Sequence, residues 1–324
     1  MLMSVLLFAV GLVLLIKGGD WFVDGATGIA KRFNLPDIVV GATVVSIGTT
    51  LPEVMVSTTG ALAGSGAMAY GNAIGSIICN TALIAAISIV CNPGPVNTKS
   101  MKTPAIFFFV SAGLYCLASY VLGTFPRWMG FVMLTIFVIY MVTTVRNGMK
   151  NPDEVHEEEE EEGKQRTLFA ELALLVIGAA VIAVGADLLV EHGQIIAIGL
   201  GVPETVVALL FVALGTSLPE LVTTITSLRS GHASLGVGNV IGANVFNLVL
   251  VSGVAVSLAP FDVPCENFLL DTGLNMSLVF EIPVMLGVMS LMIFPTLASK
   301  KLGRWQGIVL LGIYAAFCVC QFML

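Results

Sequence analysis

The sequence predicts an all-α polytopic membrane protein of ten transmembrane helices, built as two inverted five-helix repeats with broken helices 2 and 7. Three observations predict it. Of the 324 residues, 57% are apolar and only 11% charged, against about 25% charged in a soluble domain. Apolar runs long enough to cross a bilayer recur along the chain. The second half also repeats the polar signatures of the first at a constant offset. This composition excludes a soluble enzyme, makes the lipid bilayer the natural surrounding, and shows no basic patch for nucleic acid. The net charge of -7 is local, because Asp153, Glu154 and Glu157 to Glu162 hold eight of the 21 acids.

Runs bounded by Gly, Pro and charge place the spans at 2–28, 36–63, 67–91, 104–123 and 127–146, then 167–190, 203–229, 233–258, 282–299 and 303–323. The chain thus divides into a first repeat (1–147), an acidic linker (148–166) and a second repeat (167–324). The apolar N-terminus lacks a basic region and reads as a first span, not a cleaved signal. Cys79, Cys116, Cys318 and Cys320 sit in apolar runs and read as packed thiols. Of the 14 basic residues, 12 fall in the loops after spans one, three, five, seven and nine. The positive-inside rule therefore puts the linker in the cytoplasm and both termini outside a cell membrane. No protein partner is implied.

The repeat is read from polar residues. Gly48-Thr49-Thr50-Leu51-Pro52-Glu53 recurs as Gly215-Thr216-Ser217-Leu218-Pro219-Glu220, an offset of 167. The offset runs without a gap from Asp20/Asp187 through Gly71-Asn72-Ala73-Ile74-Gly75, matched by Gly238-Asn239-Val240-Ile241-Gly242, to Asn80/Asn247. Arg127-Trp128-Met129-Gly130 is echoed by Arg304-Trp305-Gln306-Gly307. Five spans per repeat is an odd number, so the second repeat is inverted. Inverted repeats with interrupted helices mark secondary transporters.

Glu53 and Glu220 fall near the middle of spans two and seven, where a carboxylate is costly unless it meets a cation, a partner or water. Pro52 deprives Gly48 of a helical donor and disfavours helical angles at Leu51. An unwound stretch is therefore expected at 48–52, and another at 215–219, each leaving carbonyl oxygens in need of partners. Asn72, Ser76 and Asn80 share a face of span three, and Asn239, Ala243 and Asn247 one of span eight. Gly71 with Gly75, and Gly238 with Gly242, form small-residue strips for close helix approach. Every donor is an oxygen. This favours Ca2+, Na+ or Mg2+, and many protein oxygens in flexible geometry suit Ca2+ better than Mg2+. Two ionised glutamates side by side repel when empty. Ca2+ and a set of Na+ ions can therefore occupy them by turns, which is exchange.

At these residues the chain resembles the cation/calcium antiporter superfamily, specifically its prokaryotic Na+/Ca2+ exchangers, over essentially its whole length. The motifs GTTLPE (48–53), GTSLPE (215–220), GNAIGS (71–76) and GNVIGA (238–243) carry the resemblance. It implies ten helices, outward termini, and antiport of Ca2+ against several Na+ ions, with no cofactor. By resemblance, Glu53 and Glu220 are the central calcium ligands, shared with sodium. Thr49 and Thr216 contribute backbone carbonyls, as do Ser46 and Ala213. Thr50 and Ser217 contribute hydroxyls to flanking sodium sites, Ser76 is similar to a sodium-site hydroxyl, and Asn80 and Asn247 line the central site. Some members carry Asp where this chain has Asn247 and a hydroxyl where it has Ala243. That departure keeps H+ open as the counter-ion in a Ca2+/H+ antiporter, although the GNATEL-type signature of proton-coupled relatives is absent. A cation channel would show flux without counter-transport. No nucleophile–base constellation, Walker loop or HExxH motif supports an enzyme.

Asp20 and Asp187 match across the repeat, but topology places them near opposite ends of their helices, too far apart for a catalytic dyad. Glu281 reads as interfacial. Asp37 and Glu204 precede spans two and seven at the favourable end of the helix dipole.

Overall fold

In the computed structural model, residues 2–33, 35–150, 166–199, 215, 217–264 and 275–323 are described. Most of the acidic linker, the start of the span expected at 203–229, Glu204, Ala213, Thr216 and Cys265 lie outside the described residues. The described chain is almost wholly helical, with nine helices long and apolar enough to cross a bilayer. The helices are α1 (Leu2–Phe33), α2 (Asp37–Leu62), α3 (Gly66–Cys91), α4 (Thr98–Leu122), α5 (Arg127–Lys150), α6 (Leu168–Gly199), α7 (Leu218–Arg229), α8 (Ala233–Leu258), α9 (Ser277–Ser299) and α10 (Arg304–Met323). Burial sorts them. In α8 83% of the best apolar window is buried and in α3 72%, against 28% in α1 and 25% in α6. So α2, α3 and α8 form the core, while α1 and α6 lie flat against its flank with an apolar face turned outward, as lipid requires.

Several helices outrun their expected bounds. α1 and α6 have 32 residues each, about 48 Å at 1.5 Å per residue, so their polar ends project past a hydrocarbon layer of about 30 Å. Hydropathy marks where the apolar stretch stops. The helix itself stops only where backbone bonding fails, as it does for α1 just before Pro36. Likewise α5 runs to Lys150, three residues into the segment read as linker.

α1 and α6 touch through glycines. A Cβ on Gly18 or Gly25 would strike the backbone of Ile182 or of Glu171 and Leu175, and one on Gly178 or Gly185 would strike Phe22 or Leu15. Rising numbers on one helix meet falling numbers on the other, so the first helices of the two halves run antiparallel. At one end of this pair Arg32 Nε donates to Glu171 Oε2 at 2.8 Å, and Arg166 Nη1 lies 3.1 Å from Asp24 Oδ2. Glu171 is almost fully buried, so Glu171→Ala takes the carboxylate from Arg32 and leaves it only the Arg166 carbonyl. We expect faster amide hydrogen exchange at Ile29–Phe33 in that variant, with the rest of α1 unchanged. Uniform exchange along α1 would mean that the ion pair holds nothing.

Two short ribbons tie the halves together. β1 (Gly94–Pro95) pairs antiparallel with β4 (Lys301–Leu302), and β2 (Thr124–Phe125) with β3 (Phe261–Asp262). The offset of 167 carries β1 onto β3, and the Arg127/Arg304 offset of 177 carries β2 onto β4. Even the flanking bonds correspond: Val96 N–H donates to Lys300 O at 3.1 Å and Val263 N–H to Gly123 O at 3.0 Å. Gly123 and Lys300 both take left-handed angles, φ 67° and 56°. The second is a lysine where only glycine is free of strain. Each ribbon is thus the other with the halves exchanged, as an internal two-fold requires.

Candidate cation site

Helix α2 does not unwind at 48–52. It continues through Pro52 to Leu62, and its irregularity is a widened π-helical turn at Gly41–Val45, one turn earlier. A proline removes one donor, which costs one hydrogen bond. The extra residue in the wide turn shifts the register of the downstream helix without unwinding it. Ser46 Oγ donates to the Gly41 carbonyl at 2.8 Å, and the Tyr140 hydroxyl on α5 donates to the Ala42 carbonyl at 2.7 Å. Both carbonyls belong to the widened turn. On the other half, Ser217 is a turn residue at the N-terminus of α7, and Pro219 lies in the first turn. That position leaves no bond unmade, and it puts the positive end of the α7 dipole beside Glu220.

The two remaining core helices widen at matching points. A π-helical turn spans Asn80–Ala85 in α3 and another Asn247–Val251 in α8. Each begins at the asparagine expected in the site. Ser252 Oγ caps the Asn247 carbonyl at 2.9 Å, repeating the Ser46–Gly41 arrangement five residues apart. Widened turns of this kind gather at functional sites because they turn backbone and side-chain oxygens away from the helix ladder.

Glu53, Glu220, Asn80, Asn247 and Thr50 are fully buried, and Ser217 is 1% exposed. Both carboxylate oxygens of each glutamate, both polar atoms of each asparagine side chain, and the hydroxyls of Thr50 and Ser217 have no hydrogen-bond partner. The two glutamates lie within each other's electrostatic reach, and the Thr49 and Thr50 hydroxyls lie beside Glu220. Burying one such group unpaired costs roughly 1–3 kcal/mol, more when it is charged. These unpaired oxygen and nitrogen atoms on four helices, α2, α3, α7 and α8, therefore describe a cage for something absent from the protein itself. Among the described residues no three His, Cys, Asp or Glu side chains converge. The donors are carboxylate, amide and hydroxyl, the set that suits a hard cation.

The other expected residues frame this cage. Thr49 Oγ1 donates to Asn239 Oδ1 at 3.2 Å, and Ser46 Oγ reaches the Asn239 carbonyl at 3.0 Å. Asn239 Nδ2 donates to Thr223 at 3.0 Å, tying α2, α7 and α8 together. Ser76 is 3% exposed on the buried face of α3. Asn72 Nδ2 donates to Ser57 at 2.8 Å and to the Glu53 carbonyl at 3.3 Å. Asn239 was legible as part of a repeated motif but not as the hub it is. Cys79, read as a packed thiol, lies beside Ser217 and accepts from the Tyr314 hydroxyl at 3.7 Å; no sequence signal marked it. The small-residue strips are unequal. Gly238 and Gly242 meet the backbone of Ile38 and Ala42, as expected, whereas nothing among the described residues approaches Gly71 or Gly75. The repeat offset makes Thr205 and Leu209 the partners of that pair, and both lie outside the described residues.

A cavity of about 1240 Å³ leads toward the cage between α2 and α6. Among the described residues, Thr49, Pro52, Gly215 and Pro219 line it near the cage, and Asp187 and Glu191 line it elsewhere. Asp20 pairs instead with Lys17 at 3.7 Å.

Comparison with known proteins identifies the family. A family model described as sodium/calcium exchanger protein matches residues 3–146 and 170–323. The chain belongs to the sodium/calcium exchanger family. Among its relatives, an uncharacterized membrane protein of Methanocaldococcus jannaschii is 34% identical across 95% of this chain and 94% of its own. The sodium/calcium exchanger MaX1 of Methanosarcina acetivorans is 31% identical across 98% of both chains. The sodium-calcium exchanger NCX_Mj, solved after soaking with 2.5 mM Na+ and 10 mM Sr2+, superposes with a TM-score of 0.79 at 32% identity over 98% of each chain. This family member therefore has the fold of an ion exchanger, a transporter rather than an enzyme, and its family's transported ions are Na+ and Ca2+.

Proposed function

We propose that this protein exchanges Ca2+ against Na+ across the cell membrane by alternating access at one shared oxygen-ligand site. One observation carries the reading: two wholly buried carboxylates, Glu53 and Glu220, stand unpartnered beside the equally unpartnered side chains of Asn80, Asn247, Thr50 and Ser217. Ca2+ takes six to eight oxygens in flexible geometry and neutralises both charges at once. Without it, the two carboxylates need monovalent cations. In this reading Thr50, Ser217 and Ser76 offer hydroxyls to sodium, while Ser46, Thr49, Ala213 and Thr216 offer backbone carbonyls. The halves 1–147 and 167–324 act as ten helices in inverted repeat, joined by the cytoplasmic linker 148–166 with both termini outside. Rocking of one helix group against the other changes which side the cage faces.

The test is a sodium jump. Proteoliposomes loaded with Na+ and diluted into Na+-free medium containing Ca2+ take up Ca2+, and do so only while the Na+ gradient stands. Asn247 gives a Ca2+/H+ antiporter its foothold, because an amide replaces a third possible acid. Ca2+ flux driven by a pH gradient alone and indifferent to Na+ would overturn the sodium reading and select that one.

A further inference from the structure

A second group of buried oxygens lies apart from the cage, under the β2–β3 ribbon. The hydroxyls of Tyr70 on α3 and of Tyr115 and Ser119 on α4 have no hydrogen-bond partner, and the three residues are 1%, 0% and 3% exposed. The Tyr70 hydroxyl lies beside those of Ser119 and Ser277, and the Glu281 carboxylate is near both tyrosines. Phe125 of the ribbon closes this group from one side, its ring centroid 4.7 Å from that of Tyr115 and 6.1 Å from that of Tyr70. Glu281, half-buried at the edge of the group, accepts from Gln321 Nε2, a neutral donor, at 3.1 Å.

Buried hydroxyls whose hydrogen-bonding capacity the protein leaves unfilled make room for a guest. Two more observations say what kind. Ser119 lies in a π-helical turn at Leu117–Leu122, and Ser277 and Glu281 bound another, so widened turns flank the group on two helices. The tyrosines and the carboxylate also have no counterpart in the other half. At the positions equivalent to Tyr70, Tyr115 and Glu281 stand Val237, Met292 and Pro104. The fold does not demand these three groups, since its own symmetry mate does without them.

We propose that Tyr70, Tyr115, Ser119, Ser277 and Glu281 form a second cation site, which takes one monovalent alkali ion together with water. All the donors are oxygens, which selects a hard cation. A single carboxylate balances one positive charge and would leave a divalent ion in excess. The site is linked to the exchange cage through one residue. The Tyr115 hydroxyl lies beside Ser252, whose Oγ caps the carbonyl of Asn247, so an ion here bears on the widened turn that presents Asn247.

Thermal unfolding of the full chain in detergent tests this, with NaCl or KCl compared against choline chloride at equal ionic strength. The background is E53Q/E220Q, which removes both carboxylates of the exchange cage. There an alkali chloride is expected to raise the unfolding midpoint while choline does not, and adding E281Q is expected to remove the rise. Y70F/Y115F keeps the charge and the packing. It is expected to raise the half-saturating alkali concentration at least about threefold, and it carries the test if E281Q does not fold. An alkali-specific rise that survives both E281Q and Y70F/Y115F, or no such rise in the E53Q/E220Q background, overturns the proposal. Because the exchange cage is already disabled, failure of the exchange reading does not alter this result.

Discussion

Replacing either Glu53 or Glu220 with glutamine is expected to abolish Ca2+ transport. Glutamine keeps the shape of the side chain and one of its oxygens, so what it removes is charge. Losing one partner from a buried charged arrangement costs about 3–5 kcal/mol. Expressed as affinity that is a loss of roughly a hundredfold to several thousandfold, enough to stop Ca2+ loading. The same substitution has an opposite effect on the empty protein. With no ion present, two buried carboxylates repel and neither has a partner. Neutralising one relieves that repulsion. Each single variant is therefore expected to melt higher than the parent in choline medium with a chelator, and to lose the stabilisation that Ca2+ confers on the parent. Flux assays and melting curves on the same preparations check both signs. Near-normal flux in either variant, or a lower melting point in chelator, would mean that these carboxylates serve the fold and not the ion.

Much of this site was legible in the sequence because its residues are expensive to keep. A glutamate in the middle of an apolar run needs a reason, and finding the same Leu-Pro-Glu twice at one offset identified both halves of the cage. The repeat also located the matching asparagines. What it could not convey is how the backbone delivers them. The proline pointed to a break at 48–52, whereas α2 carries its irregularity at Gly41–Val45 and continues through Pro52. A π-helical turn arises from a shift in hydrogen-bond register, and neither hydropathy nor periodicity records that shift. The Tyr140 bond to Ala42 joins residues of different helices and leaves no local trace. Equivalence under the repeat also says nothing about surroundings. Asn72 and Asn239 match in sequence and each donates to a hydroxyl of its own half, Ser57 and Thr223, but that match does not announce the bonds by which Asn239 also joins Ser46 and Thr49 across the halves.

The glycine strips yield the other large expected effect. Gly41 on α2 and Gly238 on α8 face each other's helix backbone. A Cβ on Gly41 would overlap the Leu235 carbonyl oxygen, and one on Gly238 the carbonyl oxygen of Ile38. Backbone atoms cannot swing aside as a side chain can, so α2 and α8 must separate. Overpacking of a close interface costs about 1–3 kcal/mol, and separation here also stretches the Ser46–Asn239 and Thr49–Asn239 bonds beside the cage. Gly41→Ala and Gly238→Ala are therefore expected to lower the melting point and weaken Ca2+ stabilisation together. Among the described residues, Gly71 and Gly75 have nothing within 4 Å of the place a Cβ would take, and they lie inside α3. There alanine meets no described neighbour and gains up to about 1 kcal/mol of helix propensity, so Gly71→Ala and Gly75→Ala are expected to melt at or above the parent with Ca2+ stabilisation intact. All four are the same chemical change, and Gly71 and Gly238 are equivalent under the repeat. If the four variants behave alike, the close crossing of α2 and α8 is not what holds Asn239 against Ser46 and Thr49. If they divide as expected, that crossing joins the two halves at the cage.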